Sequence, residues 1–211
     1  MNEIYKNPCY LTNTMIEDGH LGGTQAMGDP DTWFPEGWAF LVEHFSVKTA
    51  LDFGCGVGFA TDFFDRFLGV KCVGIEGSEV VIKHAKTEHI VRHDFTTSPL
   101  FPRYLPNKSV ECDLIWSCEF LEHIEETYLP NVLHTIAFSY PSVLAVTAAP
   151  PGAGGYHHVN CQPKEYWIEK IGKLGLTFNE KLTNKFSELC PNGSNGRIGE
   201  VWQRGGMIFL R

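Results

Sequence analysis

Hydrophobic and polar positions along this chain alternate between two spacings. After Pro35, the residues Trp38, Leu41, Val42 and Phe45 fall on one helical face, with the proline in the first turn. The apolar run 49–53 reads as a strand. Ala60, Phe63, Phe64, Phe67 and Leu68 give the next helix its buried stripe. A second strand is expected at 71–75, a helix capped by Ser78 and reaching Lys86, and a short strand at 89–92. A proline-containing connector, 98–109, leads to a fourth strand at 112–117. Leu129, Val132, Leu133, Ile136, Ala137 and Tyr140 pattern a helix, followed by a fifth strand at 142–148. The run Pro150-Pro151-Gly152-Ala153-Gly154-Gly155 reads as a mobile loop. A helix at 163–174 turns Trp167, Ile171 and Leu174 inward. The last strands are expected at 177–186 and 207–210, joined by the Asn- and Gly-rich segment 191–206. Strands alternating with helices predict an α/β fold, with a parallel sheet covered on both faces. The last two strands, with no helix expected between them, should pair antiparallel.

At 211 residues the chain is one domain, or one domain with a small appendage, and 43% hydrophobic content can supply its core. A net charge of −8 disfavours a long phosphate backbone as partner, since such binding leans on Lys and Arg. No apolar run of about 18 residues suggests a membrane span, and Met1-Asn2-Glu3-Ile4-Tyr5-Lys6 holds no apolar signal core. Seven cysteines (Cys9, Cys55, Cys72, Cys112, Cys118, Cys161 and Cys190) with no CxxC pair point to reduced thiols and a cytoplasmic location, without a Cys-rich zinc site.

The chemistry begins where the first strand runs into Gly54-Cys55-Gly56-Val57-Gly58 and then a helix. Such a turn lets backbone N–H groups approach a ligand, and the helix N-terminus favours negative charge. Glu76, about 20 positions on at the end of the next strand, can grip two ribose hydroxyls. A dinucleotide fingerprint needs glycine at its first, third and sixth positions. The sixth here is Phe59, which disfavours a nicotinamide oxidoreductase.

The turn, with Asp52 just ahead of it, instead resembles motif I of the class I S-adenosylmethionine-dependent methyltransferases. Asp94-Phe95 ends the third strand, where that family reads adenine. Ser117-Cys118-Glu119-Phe120-Leu121-Glu122-His123-Ile124 follows the fourth and is similar to the family's E-x-L-E-H-I segment. The resemblance covers about residues 35–211. It implies a Rossmann-like three-layer sandwich whose seven-stranded, mostly parallel sheet ends in an antiparallel hairpin. Residues 1–34 are left as an N-terminal lid or arm. S-adenosyl-L-methionine is the implied cofactor. Gly54, Gly56 and Gly58 would lie against its methionine part and Asp52 near its ammonium. Glu76 would accept from the ribose, Asp94 from the adenine amino group, and Gly77 and Phe95 would flank the ring. Ser117 joins this cofactor set.

On the acceptor side, a helix beginning at 119 would put Glu119, Glu122 and His123 on one face. His157, His158, Asn160 and Gln162 follow the fifth strand and reach the same sheet edge. Two carboxylates with one or two histidines suit a divalent cation such as magnesium, manganese or iron. The pattern resembles two branches of the family: the 2′-O-methyltransferase of small-RNA 3′ ends and the ubiquinone-pathway O-methyltransferase. Carried over, the ligands are Glu119, Glu122, His123 and either His157 or His158; the spacing of these later histidines departs from both branches. Without a metal, His123, His157 or His158 serves as general base, or these histidines only orient loops. The run from Gly19 to Gly23 and on to Trp33 fits a lid over the acceptor, where Trp33 and Trp38 stack on a ring or sugar, or Trp33 staples the first helix. Arg197 is a candidate for an anionic substrate. The DPPY/NPPY segment of amino-methylating nucleic-acid enzymes and the Lys-Asp-Lys-Glu tetrad of ribose methylases are absent. The expectation is a cytoplasmic enzyme that O-methylates a hydroxyl of a small molecule, a sugar or a phenol, without nucleic acid or membrane. The alternatives are a metal-dependent RNA 3′-end 2′-O-methyltransferase and a non-catalytic S-adenosylmethionine-binding protein.

Overall fold

Strand β3 (Thr49–Phe53) lies at the middle of the sheet, and four of its five residues are buried, as a strand covered on both faces requires. The computed structural model of the protein describes residues 14–101, 112–190 and 200–211. Met1 to Lys6, Cys9 and Arg197 lie outside the described residues, as do parts of the connector 98–109 and of the segment 191–206.

Ahead of β3 come a small antiparallel pair, β1 (Met15–Ile16) and β2 (Thr24–Gln25), a 3-10 turn at Pro30–Thr32, and helix α1 (Pro35–Phe45). After β3 come α2 (Phe59–Arg66), β4 (Lys71–Glu76), α3 (Glu79–Ile82), β5 (Ile90–Arg92), β6 (Leu114–Ser117), α4 (Leu129–Ser139) and β7 (Val143–Val146). The chain closes with α5 (Lys164–Gly172), β8 (Thr177–Phe178), α6 (Glu180–Glu188), α7 (Glu200–Gly205) and β9 (Met207–Leu210). The seven-stranded sheet runs β5-β4-β3-β6-β7-β9-β8. β9 is antiparallel to both its neighbours, and the other pairs are parallel.

The period-2 alternation of the strands sends alternate residues to two separate cores. Leu51, Phe53, Ile75, Ile115 and Val146 meet α4 and α5 through Val132, Ile136, Trp167 and Ile171. Ala50, Cys72, Leu114, Trp116 and Ala145 meet α1, α2, α6 and α7 through Trp38, Leu41, Phe63, Phe64, Phe186 and Trp202. This is the three-layer α/β sandwich expected.

Several boundaries differ from the pattern. α2 stops at Arg66, and Phe67 beyond it is 41% exposed. Ser78 caps α3 by accepting from Val81 N–H, but α3 ends at Ile82 rather than Lys86. Tyr140 is the left-handed C-cap of α4, not part of its buried stripe. The strand expected at 177–186 has only two residues. Asn179 turns its side-chain oxygen onto Leu182 N–H and starts a helix, whose i, i+4 pair Leu182 and Phe186 packs toward α1 and Trp202. The final strands do pair antiparallel, but α6 and α7 lie between them.

Candidate active site

The C-terminal ends of the parallel strands deliver their loops to one edge of the sheet, and a cavity of about 380 Å³ opens there. One half is lined by Asp52, Gly54, Gly56, Glu76, Gly77, Asp94 and Phe95, the other by Glu119, His123, Tyr156, His157, His158 and Arg204. Residues 20–25, in the short arm that runs from β1 through β2, also line the cavity.

The glycine turn is as tight as its sequence demands. Gly54 has φ +66°, and a Cβ there would come within 2.4 Å of the Phe120 ring. Gly56 has φ +56°, and a Cβ would meet Thr24 of the arm at 2.9 Å. Gly58 is the left-handed N-cap of α2. Glu76 fastens this turn: Oε2 accepts from Gly56 N–H at 3.0 Å and Oε1 from Ser78 N–H at 2.9 Å. Burial raises its carboxyl above the usual range, the nearby Asp18 adds to this, and the backbone donors oppose it. Burial also pushes Asp52 up to about 7, against a hydrogen bond from Thr61 Oγ1 at 2.7 Å. Asp94 Oδ2 pairs with His20 Nε2 at 3.1 Å, and Oδ1 accepts from Thr96 N–H at 2.8 Å. Burial alone would raise Asp94, but these hydrogen bonds outweigh it and hold the carboxyl low. Phe95 is a core ring between Phe53 and Phe120. Ser117 is buried behind the cavity, where its Oγ donates to the Phe53 carbonyl.

The half of the cavity around Glu119 and His123 differs from the helical arrangement expected. Leu121–His123 is a single 3-10 turn, and Glu119 precedes it with φ +49°. The i, i+3, i+4 face therefore does not form. Glu119 lines the cavity but is held by other partners, its Oε1 accepting from Thr147 Oγ1 at 2.9 Å and its Oε2 from Arg204 Nη2 at 2.6 Å. Glu122 is fully buried, and neither of its oxygens has a hydrogen-bond partner among the described residues. Burial, then the charge of Glu119, pushes its carboxyl up to about 8, opposed by its own backbone N–H, the N–H of Ala149 and the charge of Arg204. Burial, then His158 and His157, pushes His123 down to about 4. His123 Nδ1 and His157 Nε2 are likewise buried and unpartnered.

Ligand atoms of Glu122, His123 and His158 all lie within 4.8 Å of one another, and the His123 and His158 rings meet edge to face. An unpaired buried carboxyl between two imidazoles is expensive on its own and suits a divalent cation. Glu119 and His157 stand outside this group of three. Trp38 is fully buried, with Trp33 edge-on at 4.9 Å, so both rings belong mainly to the packing of α1 against α2. His20, Thr24, Thr147, Tyr156 and Arg204 enter the site without having been singled out individually. For His20 the glycine-rich run 19–23 was a signal; for Arg204 there was none. Among the described residues six cysteines are free, and no helix is long and apolar enough to cross a membrane.

Residues 33–150 match the family described as "Methyltransferase domain". No curated protein sequence is significantly similar to the chain. Among solved structures, a TehB-like SAM-dependent methyltransferase from Corynebacterium glutamicum is 17% identical, with a TM-score of 0.55 over 83% of this chain and 87% of that one. The methyltransferase domain of the bacterial protein CtHen1 is 14% identical, with a TM-score of 0.58 over 87% of this chain and 100% of that one. The Haemonchus contortus phosphoethanolamine N-methyltransferase 2, in complex with phosphomonomethylethanolamine and S-adenosylhomocysteine, is 14% identical, with a TM-score of 0.53 over 84% and 56%. At these identities the likeness is one of fold.

Proposed function

The chain belongs to the class I S-adenosylmethionine-dependent methyltransferases, and from that premise we propose that it O-methylates a hydroxyl of a small molecule, a sugar or a phenol, with a divalent cation beside the acceptor. The observation that carries the reading is Glu122: a fully buried carboxyl with no hydrogen-bond partner among the described residues, grouped with His123 and His158, which line the cavity in front of it.

The cofactor's sulfonium supplies an activated methyl group. The glycine turn at Gly54 and Gly56 receives the methionine part, with Asp52 behind it. Each Glu76 oxygen already accepts one backbone N–H and keeps a second lone pair for a ribose hydroxyl. Asp94 accepts from the adenine amino group beside Gly77, while Phe95 and Ser117 stiffen the wall. Glu122, His123 and His158 would hold the cation, which would supply Lewis acidity to lower the pKa of the acceptor hydroxyl. Burial keeps His123 neutral and so fit to be a ligand. His157 Nε2, buried and without a hydrogen-bond partner among the described residues, would accept the hydroxyl proton as the methyl group is transferred. The arm and Tyr156 exclude water.

A sugar or phenol is favoured over RNA by charge. Among the described residues lining the cavity, Arg204 is the only Lys or Arg, and it is paired with Glu119. The test combines manganese titration, read by electron paramagnetic resonance on protein loaded with S-adenosylhomocysteine, with labelled methyl transfer to catechols, sugars and RNA 3′ ends. Manganese bound by the wild type and lost in Glu122→Ala and His158→Ala supports the cation. No binding to the wild type removes the cation, and label on RNA alone removes the small-molecule acceptor.

A further inference from the structure

The arm lies directly against the glycines of the cofactor half and the histidine of the acceptor half. Asp18 Oδ2 accepts from Ser78 Oγ at 2.7 Å, which ties the arm to the cap of α3. His20 Nε2 pairs with Asp94 at 3.1 Å, on the carboxylate assigned to adenine. Leu21 covers Gly77 so closely that a Cβ on Gly77 would come within 2.5 Å of Leu21 Cδ2. Thr24 covers Gly56 in the same way. A few atoms further on, the same strip forms the other wall. A Cβ on Gly22 would meet the Tyr156 ring at 2.7 Å, and one on Gly23 would meet His123 Cε1 at 3.0 Å.

Two consequences follow from contact alone. No slot is left between the arm and Gly56 or Gly77, so a ligand as large as a nucleoside cannot pass on that side unless the arm lifts. Gly19 has φ +55° and open space around it, and Gly28 has φ +82°, so the strip is bracketed by glycines in conformations other residues rarely adopt. The backbone from 18 to 24 is also short and pinned internally: Leu21 N–H donates to Asp18 O at 3.0 Å and Gly23 N–H to Ile16 O at 2.9 Å. What fixes His20 and Leu21 therefore also fixes Gly22 and Gly23.

We propose that residues 18–24 are a roof shared by the two half-sites: His20 and Leu21 close the adenine end of the cofactor pocket, and Gly22 and Gly23 carry that closure to Tyr156 and His123. A ligand that moves the arm at Gly56 and Gly77 therefore also moves the wall at Tyr156 and His123, and the two half-sites are coupled through one short strip of backbone. The coupling is reciprocal in binding free energy, so an ordered acceptor wall in turn raises the affinity for the cofactor. The proposal rests on the reading that the glycine-turn half holds the cofactor.

Hydrogen–deuterium exchange and calorimetry with S-adenosylhomocysteine test it. In the wild type the ligand slows exchange over 18–24 and also over 154–158. In His20→Ala/Leu21→Ala the affinity for S-adenosylhomocysteine falls about tenfold. At saturating ligand, exchange over 154–158 then stays as fast as without ligand. Asp18→Ala, which removes the acceptor of Ser78 Oγ without removing an apolar contact, shows the same change to a smaller degree. Unchanged affinity in the double variant, or 154–158 protected as in the wild type, overturns the shared roof. A wild type that binds no S-adenosylhomocysteine overturns the cofactor reading instead, and the two failures are distinct.

Discussion

Glu76 and Gly56, 20 residues apart in sequence, are joined by a 3.0 Å hydrogen bond that holds the glycine turn against the end of β4. The same carboxylate accepts Ser78 N–H, so it organises both loops around the half of the cavity proposed for the cofactor. Glu76→Ala strips an acceptor from two buried N–H groups, at about 1–3 kcal/mol each. The expected outcome is a lowered denaturation midpoint and a loss of S-adenosylhomocysteine affinity of at least about tenfold. Chemical denaturation and calorimetry on the same preparation check both.

Asp52 predicts a pH dependence of stability. Its folded carboxyl titrates near 7 because of burial, against an ordinary value of 3.8. Folding therefore takes up a proton in this window. The contribution is fully favourable below about pH 4 and is lost as pH rises through about 7. Asp52→Asn keeps an oxygen for Thr61 Oγ1 and removes the titration. The variant should match the wild type near pH 4 and exceed it at pH 8 by on the order of 2–4 kcal/mol. The difference between the two unfolding curves, measured across pH, isolates Asp52 from other groups.

Two glycines of the same cavity should respond in opposite ways. Gly54 combines positive φ with the Phe120 ring 2.4 Å from an ideal Cβ, whereas Gly154 has nothing within 4 Å. Gly54→Ala should cost at least about 1 kcal/mol for its backbone alone, displace Phe120 and weaken S-adenosylhomocysteine binding. Gly154→Ala should stay within about 0.5 kcal/mol of the wild type and bind normally. Thermal unfolding with and without the ligand separates them.

What the sequence revealed follows from how far each signal reaches along the chain. β3, β4, β6 and β7 were legible because buried strands are continuous apolar runs, and α1 and α4 because their stripes span several turns. β1 and β2, of two residues each, are too short for any period. α6 was hidden because Thr177–Phe178 begins as a strand and only Asn179 redirects it. In the site, Gly54, Gly56 and Glu76 announce themselves by local spacing. The pairs His20–Asp94 and Arg204–Glu119, 74 and 85 residues apart, exist only once the sheet edge has gathered them. Glu119 shows the limit of spacing arguments: an i, i+3, i+4 face presupposes a helix, and a residue at φ +49° before a 3-10 turn does not supply one.

Arg204 then decides what Glu119 is for. Its guanidinium holds Glu119 Oε2 at 2.6 Å while Thr147 holds Oε1, and the pair is partly open to solvent, at 37% and 17% side-chain exposure. Breaking such a pair should cost no more than about 1 kcal/mol of stability. If Glu119 adds to the cation site proposed at Glu122, His123 and His158, Arg204 competes with the cation for it. Arg204→Ala should then raise manganese affinity several-fold. Glu119→Ala, which leaves an unpaired guanidinium at the acceptor half, should lower it at least about tenfold. Binding of S-adenosylhomocysteine, on the other side of the cavity, should not change in either variant. Manganese affinity equal in the two variants would show that Glu119 braces Thr147 and α7 and is not a ligand, leaving the cation to the three residues already gathered.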